Sequence, residues 1–141
     1  MYNLNSERGI TLIETLIALV VLSISLLGLS ALQTTAIRGN ASAAKLSTSI
    51  ISGSDRIEQL LNAPYNDPAL DINNSPYQET SGLAPGISSI VWTVAPYDAN
   101  GDGDTIDADE QGIKDVTITV NYSAAGGAKT TQIKFLRAQV Y

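Results

Sequence analysis

The sequence predicts an α+β protein, in which a long N-terminal α-helix packs by its second half on a small antiparallel β-sheet head. Three observations support this prediction. Residues 15–37 carry no charged side chain, and about 20 apolar residues are enough to cross the hydrocarbon core of a membrane. Helical spacing of apolar residues then continues as far as Asn62. Segments with the alternating pattern of strands occupy residues 87–141.

The helix is predicted to run from Ile10 to Asn62, because Pro64 follows within a segment rich in Asn, Asp and Pro. In its second half, one apolar stripe at helical spacing is expected to pack on the head: Leu46, Ile50, Ile57 and Leu61. Polar residues at other positions, Ser49 among them, are expected to face solvent. Three glycines are the expected soft points of the helix: Gly28, Gly39 and Gly53.

The head is predicted to contain a loop over residues 64–86 and a sheet of three or four strands over residues 87–141. Alternation assigns one set of side chains to the core: Ile90, Trp92, Val94, Val116, Ile118, Val120, Tyr122, Ile133 and Phe135. Trp92 is therefore expected to be a core residue rather than a platform for a ligand. The pair Gly126-Gly127 predicts a hairpin whose loop is longer than two residues.

The composition argues against several functional classes. The chain has no His and no Cys, which removes the commonest general base, thiol nucleophiles and disulfides. Its net charge is −6 with eight Lys and Arg residues, whereas binding to nucleic acid depends on basic contacts to phosphates. We therefore predict that the protein is not an enzyme and does not bind nucleic acid.

One carboxylate, Glu14, stands within the apolar run that begins at Ile10. If the run is a plain membrane anchor, a charge at the bilayer centre costs about 2.5–3.5 kcal/mol and less near the interface. If the run is a secretory signal, residues 41–43 (Ala-Ser-Ala) provide a cleavage site, but the apolar run is long and Arg8 is the only preceding cation. Neither interpretation explains why Glu14 is present.

The stretch RGITLIETLIALVVLSISLLGLSALQ resembles the N-terminal signature of type IV pilins and type II secretion pseudopilins. The resemblance implies that a prepilin peptidase cleaves between Gly9 and Ile10 and that Ile10 is then N-methylated. Most members have Phe at the methylated position, so Ile10 is an apolar departure. The resemblance also implies that Glu14 neutralises the terminal amine of a neighbouring subunit during assembly, since a buried charge persists where it finds a partner.

The resemblance further implies the pilin fold, divided into three parts: a cleaved leader at residues 1–9, a transmembrane and assembly helix at 10–36, and a globular head at 37–141. Within the head, the second half of the helix takes residues 37–63. The sequence LLGLSALQ, followed by a strand with Trp92 and two later strands, looks most like the PilV class of minor pilins.

The function that this resemblance implies is that of a minor pilin of a type IV pilus. The subunit would lie in the inner membrane before assembly and in an extracellular filament afterwards. Its partners would be the prepilin peptidase, other pilin subunits contacted through the N-terminal helix, and the assembly platform of the inner membrane. Two alternatives remain: a type II secretion pseudopilin of a periplasmic pseudopilus, and a membrane-anchored, calcium-dependent adhesive module.

An acidic segment, DANGDGDTIDADE at residues 98–110, follows the spacing of a calcium-binding loop, with Gly103 where a sharp turn is needed. Five side chains would supply the oxygen ligands: Asp98, Asn100, Asp102, Asp104 and Asp109. Asp109 stands in place of the usual Glu. The alternative is a solvated acidic turn. Calcium is the one cofactor that we expect, with a dissociation constant on the order of 10⁻⁴–10⁻³ M, and no other cofactor is required.

Overall fold

The computed structural model describes residues 11–101, 103 and 111–139. Helix α1 spans Leu12–Asn62 and is followed by two short 3-10 helices, Pro68–Leu70 and Ile72–Asn74. The strands are β1 (Tyr77–Glu79), β2 (Ile87–Pro96), β3 (Ile113–Ala124) and β4 (Gly127–Ala138). They form one antiparallel sheet in sequential order. The chain divides into two compact units, Met1–Gly39 and Asn40–Tyr141. This arrangement confirms the predicted α+β class.

The C-terminal end of α1 at Asn62 is where the sequence predicts it. The last turn of the helix contains no basic residue of its own. Instead, Arg137 of β4 donates a hydrogen bond from Nη2 to the carbonyl oxygen of Ala63, at 3.0 Å. A cation near the last carbonyl groups stabilises a helix, because the C-terminal end of its dipole is negative. The last strand of the sheet therefore caps the helix.

Small residues form the closest contact between α1 and the sheet. Ser49 is fully buried, and its hydroxyl lies 3.1 Å from the hydroxyl of Thr131 on β4. Gly53 is also buried, and a Cβ atom at its position would lie 2.8 Å from Cδ1 of Ile133 and 3.2 Å from Cγ2 of Val120. The prediction that Ser49 faces solvent is therefore wrong, and Gly53 has a packing role that the sequence analysis did not predict.

The predicted apolar stripe lies beside this contact rather than in it. Leu46, Ile50 and Leu61 are 42%, 43% and 40% exposed, and only Ile57 of the predicted four packs against the core. The helix approaches the sheet too closely for large side chains at the centre of the contact. The face turned to the sheet is therefore the one with Ser49 and Gly53, and the larger apolar residues flank it.

The core agrees with the alternation predicted for β2 and β3. Its buried members from these strands are Ile90, Trp92, Val94, Val116, Ile118, Val120 and Tyr122. Leu60 of α1 and Leu70 of the first 3-10 helix complete it. On β4, Ile133 and Phe135 are half-buried and in phase, as predicted. Sequence-based alternation therefore identified the inward face of these three strands.

Two features of the sheet differ from the prediction. The segment 64–86, predicted as loop, contains β1, whose Tyr77 is paired with Trp92 of β2. The hairpin between β3 and β4 has a two-residue turn, Ala125–Gly126, rather than a longer loop. Gly126 has a φ of +100°, and a positive φ at the second turn position is what a type II turn requires. The glycine pair thus closes the hairpin tightly instead of lengthening its loop.

Candidate functional sites

Glu14 lies at the third position of α1, three residues after Thr11, which caps the start of the helix. The backbone N–H of Glu14 donates to the hydroxyl of Thr11, at 3.3 Å, and to the carbonyl oxygen of Thr11, at 3.1 Å. Thr11 and Glu14 have the spacing of a capping box, Ser/Thr-x-x-Glu/Gln. A carboxylate is also favoured there by the positive end of the helix dipole. Glu14 therefore has a local role in starting the helix. The sequence Thr-Leu-Ile-Glu already indicated this role, because it has the spacing of a capping box.

The hydroxyl groups in the apolar part of α1 are hydrogen-bonded within the helix. Five hydroxyls each donate to the carbonyl oxygen four residues earlier, at 2.7–3.0 Å: Ser23, Ser25, Ser30, Thr34 and Thr35. Such bonds are needed in hydrocarbon, where no water replaces a missing partner. Within residues 12–37, Glu14 is the single charged side chain.

Residues 11–41 are all exposed, including large apolar side chains such as Leu12 (83%) and Leu27 (72%). Within the described part of the chain, α1 is the one helix long and apolar enough to cross a membrane, and none of its most apolar window is buried. The core helix of a soluble domain would bury such a window. The exposed apolar surface of this segment therefore fits contact with lipid or with other helices.

The prokaryotic N-terminal methylation motif matches residues 4–30. The matched span includes Gly9, Ile10 and Glu14; the first two lie outside the described residues. This type IV pilin-like signal fits the general class of type IV pilins and pseudopilins. It implies processing by a prepilin peptidase and assembly with other pilins, and with α1 it fits anchoring in the inner membrane before assembly. No curated protein and no solved structure matches the chain.

The described part of the acidic segment centres on Asp98. Its Oδ1 accepts a hydrogen bond from the backbone N–H of Gly101 at 2.6 Å, and its Oδ2 accepts one from Gly103 at 3.1 Å. The structure thus orients the first predicted calcium ligand, and Asn100 follows two residues later. Three further predicted ligands lie outside the described residues: Asp102, Asp104 and Asp109. Within the described ranges, no three acidic, His or Cys side chains are grouped to hold a metal.

Lys114 is a buried amine that the sequence reasoning missed. Its Nζ donates to the carbonyl oxygens of Tyr65 at 2.9 Å and Leu70 at 2.8 Å, and lies 4.1 Å from the centroid of the Tyr65 ring. Burial lowers the pKa of Lys114, and the carboxylate of Asp71 partly opposes this shift. Lys114 therefore ties the segment after α1 to β3. The sequence did contain a signal for this burial: Lys114 lies two residues before Val116, so the alternation of β3 places both side chains on its inward face.

Trp92 also connects this segment to the sheet. Its indole N–H donates to the carbonyl oxygen of Ala69 at 2.8 Å, and its ring stacks on Tyr77 with centroids 5.3 Å apart. The guanidinium of Arg56 lies 3.9 Å from the centre of the Trp92 ring. With 4% of its surface exposed, Trp92 is a core residue, as predicted.

Proposed function

We propose that the protein is a minor pilin of a type IV pilus, cleaved between Gly9 and Ile10, methylated on Ile10 and assembled into an extracellular filament through α1. The observation that carries this proposal is the methylation motif at residues 4–30, which contains Glu14 within an otherwise uncharged apolar segment. The same motif suggests a structural subunit rather than an enzyme.

The physical role of Glu14 in this proposal follows from the cost of its charge. Cleavage after Gly9 creates a cationic amine on Ile10, and two opposite charges taken from water stabilise one another when they meet in a low-dielectric environment. Pairing of Glu14 with the amine of a neighbouring subunit would fix the register between subunits. The hydroxyl groups of α1 are compatible with a move from lipid into a filament, because each keeps its hydrogen bond to the helix in both environments.

The experiment that tests the proposal is the intact mass and N-terminal sequence of the protein purified from its native cell. We expect loss of residues 1–9 and one added methyl group on Ile10. A Gly9→Val variant is the matched control and should remain uncleaved. A wild-type chain that keeps its leader, or one cut after Ala43, would contradict the proposal.

The finer assignment is to the PilV class of minor pilins, supported by LLGLSALQ and by the position of Trp92 in the first long strand. The alternative within the same general class is a type II secretion pseudopilin. Shearing intact cells separates the two, because a pilus subunit is released with surface fibres whereas a pseudopilus remains in the periplasm. Recovery of the protein in the sheared fraction supports the pilus, and its retention in the cell supports the pseudopilin.

We also propose that residues 98–110 bind calcium. The support is the ligand spacing together with the fixed carboxylate of Asp98. Millimolar calcium added to the full chain in detergent should raise the melting temperature, followed by the fluorescence of Trp92, the only Trp in the chain. Magnesium and an Asp98→Asn variant are the controls. An unchanged melting temperature in millimolar calcium would contradict the proposal.

Replacing Glu14, rather than adding calcium, distinguishes a pilin from the alternative of a membrane-anchored adhesive module. If α1 is only an anchor, replacing Glu14 leaves the protein functional at the cell surface. If α1 is an assembly helix, the same replacement prevents incorporation into filaments.

A further inference from the structure

The dipeptide Asn100-Gly101 in the acidic segment has a chemical liability of its own. Asn100 is the only Asn in the chain that is followed by Gly. The backbone nitrogen of the residue after an Asn is the nucleophile in deamidation, because it attacks the side-chain carbonyl carbon to form a five-membered ring. Gly at this position leaves the nitrogen unshielded by a Cβ atom and gives the backbone the freedom that ring closure requires.

In the structure, the carboxylate of Asp98 accepts a hydrogen bond from this nucleophile, the backbone nitrogen of Gly101. The N–H of Gly101 donates to Oδ1 of Asp98 at 2.6 Å, within the distance at which a general base removes a proton. The second oxygen of Asp98 accepts from Gly103 at 3.1 Å, so the carboxylate is held from both sides. In an ordinary Asn-Gly peptide, hydroxide from the solvent has to remove the same proton.

We propose that Asn100 deamidates by a self-catalysed reaction in which Asp98 acts as general base. Asp98 removes the proton of the Gly101 nitrogen as this nitrogen forms a bond to Cγ of Asn100. The bond between Cγ and Nδ2 of Asn100 then breaks, and the amide nitrogen takes up the proton and leaves as ammonia. Water opens the resulting succinimide at either carbonyl, which gives aspartate or isoaspartate at position 100. No oxidant or reductant takes part.

The product changes the charge of a segment that is already strongly acidic. Residues 98–110 contain six Asp and Glu residues, and deamidation adds a seventh carboxylate. The formal net charge of the chain moves from −6 to −7, one unit more negative than the encoded sequence gives. The isoaspartate product also adds a methylene to the main chain beside Gly101. This inference does not depend on the proposed function, because it concerns chemistry within one chain.

The test compares the full-length wild-type chain with Asp98→Asn, each purified in detergent with a chelator present. Asn at position 98 keeps a hydrogen-bond acceptor but no base. After incubation at neutral pH, peptide mapping by mass spectrometry measures conversion at position 100, and enzymatic methylation detects isoaspartate. We expect Asp98→Asn to react about 10²-fold more slowly, the lower end of what a positioned general base supplies.

The same digest contains its own references, since Asn66 precedes Asp and Asn74 precedes Ser. An Asp98→Ser variant is the second test of the base, and an unchanged melting curve of Trp92 shows that each variant is folded. Equal or faster conversion in both variants would overturn the proposal. Conversion of wild-type Asn100 no faster than that of Asn74 would overturn it as well.

Discussion

Replacing Glu14 by Gln separates the two roles that this side chain can have. The hydrogen bonds that start α1 run from the backbone N–H of Glu14 to Thr11, so they do not depend on the carboxylate. Gln is also accepted at this position of a capping box. The substitution therefore removes the negative charge and leaves the start of the helix in place.

The two roles predict effects of different size. If Glu14 only favours the helix start, losing its charge costs about 0.3–1 kcal/mol, which reduces incorporation about fivefold at most. If it pairs with a buried amine of a neighbour, removing one partner of the pair costs about 3–5 kcal/mol. Because every 1.4 kcal/mol is about a tenfold change in an equilibrium, the expected loss of incorporation is about 10²-fold to 4 × 10³-fold.

The assay is the ratio of the protein in sheared filaments to that in the membrane fraction. Glu58→Gln is the matched control, because Glu58 is an exposed carboxylate on the same helix within the head. The mass of the membrane-bound Glu14→Gln chain must show normal loss of the leader, so that a defect is assigned to assembly rather than to cleavage. Incorporation of Glu14→Gln within about fivefold of wild type would refute charge pairing.

Three further predictions concern the stability of the head, measured by the fluorescence of Trp92. Lys114→Met should lower the free energy of unfolding by about 1–3 kcal/mol, because it removes the donor of two hydrogen bonds, to the carbonyl oxygens of Tyr65 and Leu70; an unchanged value would contradict this. Burial lowers the pKa of Lys114 below its ordinary value of 10.5, so the unfolded chain holds this proton more tightly. Wild-type stability should therefore rise with pH from the lowered pKa up to 10.5, and the same rise in Lys114→Met would show that another group causes it. Gly39→Ala should stabilise α1 by up to about 1 kcal/mol because nothing lies within 4 Å of the added atom. The Gly53→Ala variant should be less stable than the Gly39→Ala variant by about 1–3 kcal/mol because of the contact with Ile133. Equal stabilities of the two variants would show that the helix does not approach the sheet so closely.

The sequence predicts those parts of the fold in which a pattern of apolar residues extends over a long regular element. The charge-free run identified α1, and alternation identified the inward face of β2 and β3. Strand β1 has only three residues, too few for a period of two to be visible. The hairpin was misjudged because the spacing of glycines does not reveal which turn position takes the positive φ.

The contact between helix and sheet was missed for a different reason. The prediction used hydrophobicity, which identifies large apolar residues as buried, whereas a close approach of helix and sheet requires small residues. Ser49 was therefore assigned to solvent, and the packing role of Gly53 was not predicted. Lys114 and Arg137 reach carbonyl groups 44 to 74 residues away, and no local pattern encodes such a partner. At the N-terminus, the prediction rests on a motif that the family comparison matches independently at residues 4–30. The calcium ligands stay a prediction.

The hydrogen bond between Arg137 and Ala63 has a consequence for the order of synthesis. The carbonyl group of Ala63, directly after α1, receives its cationic partner from a residue 74 positions later, on the strand that also supplies Ile133 beside Gly53. While the ribosome is still adding β4, the helix has neither its cap nor this part of its covering. The head can therefore complete the contact between α1 and the sheet only after translation of the last strand. Truncation near the C-terminus should expose the C-terminal end of the helix.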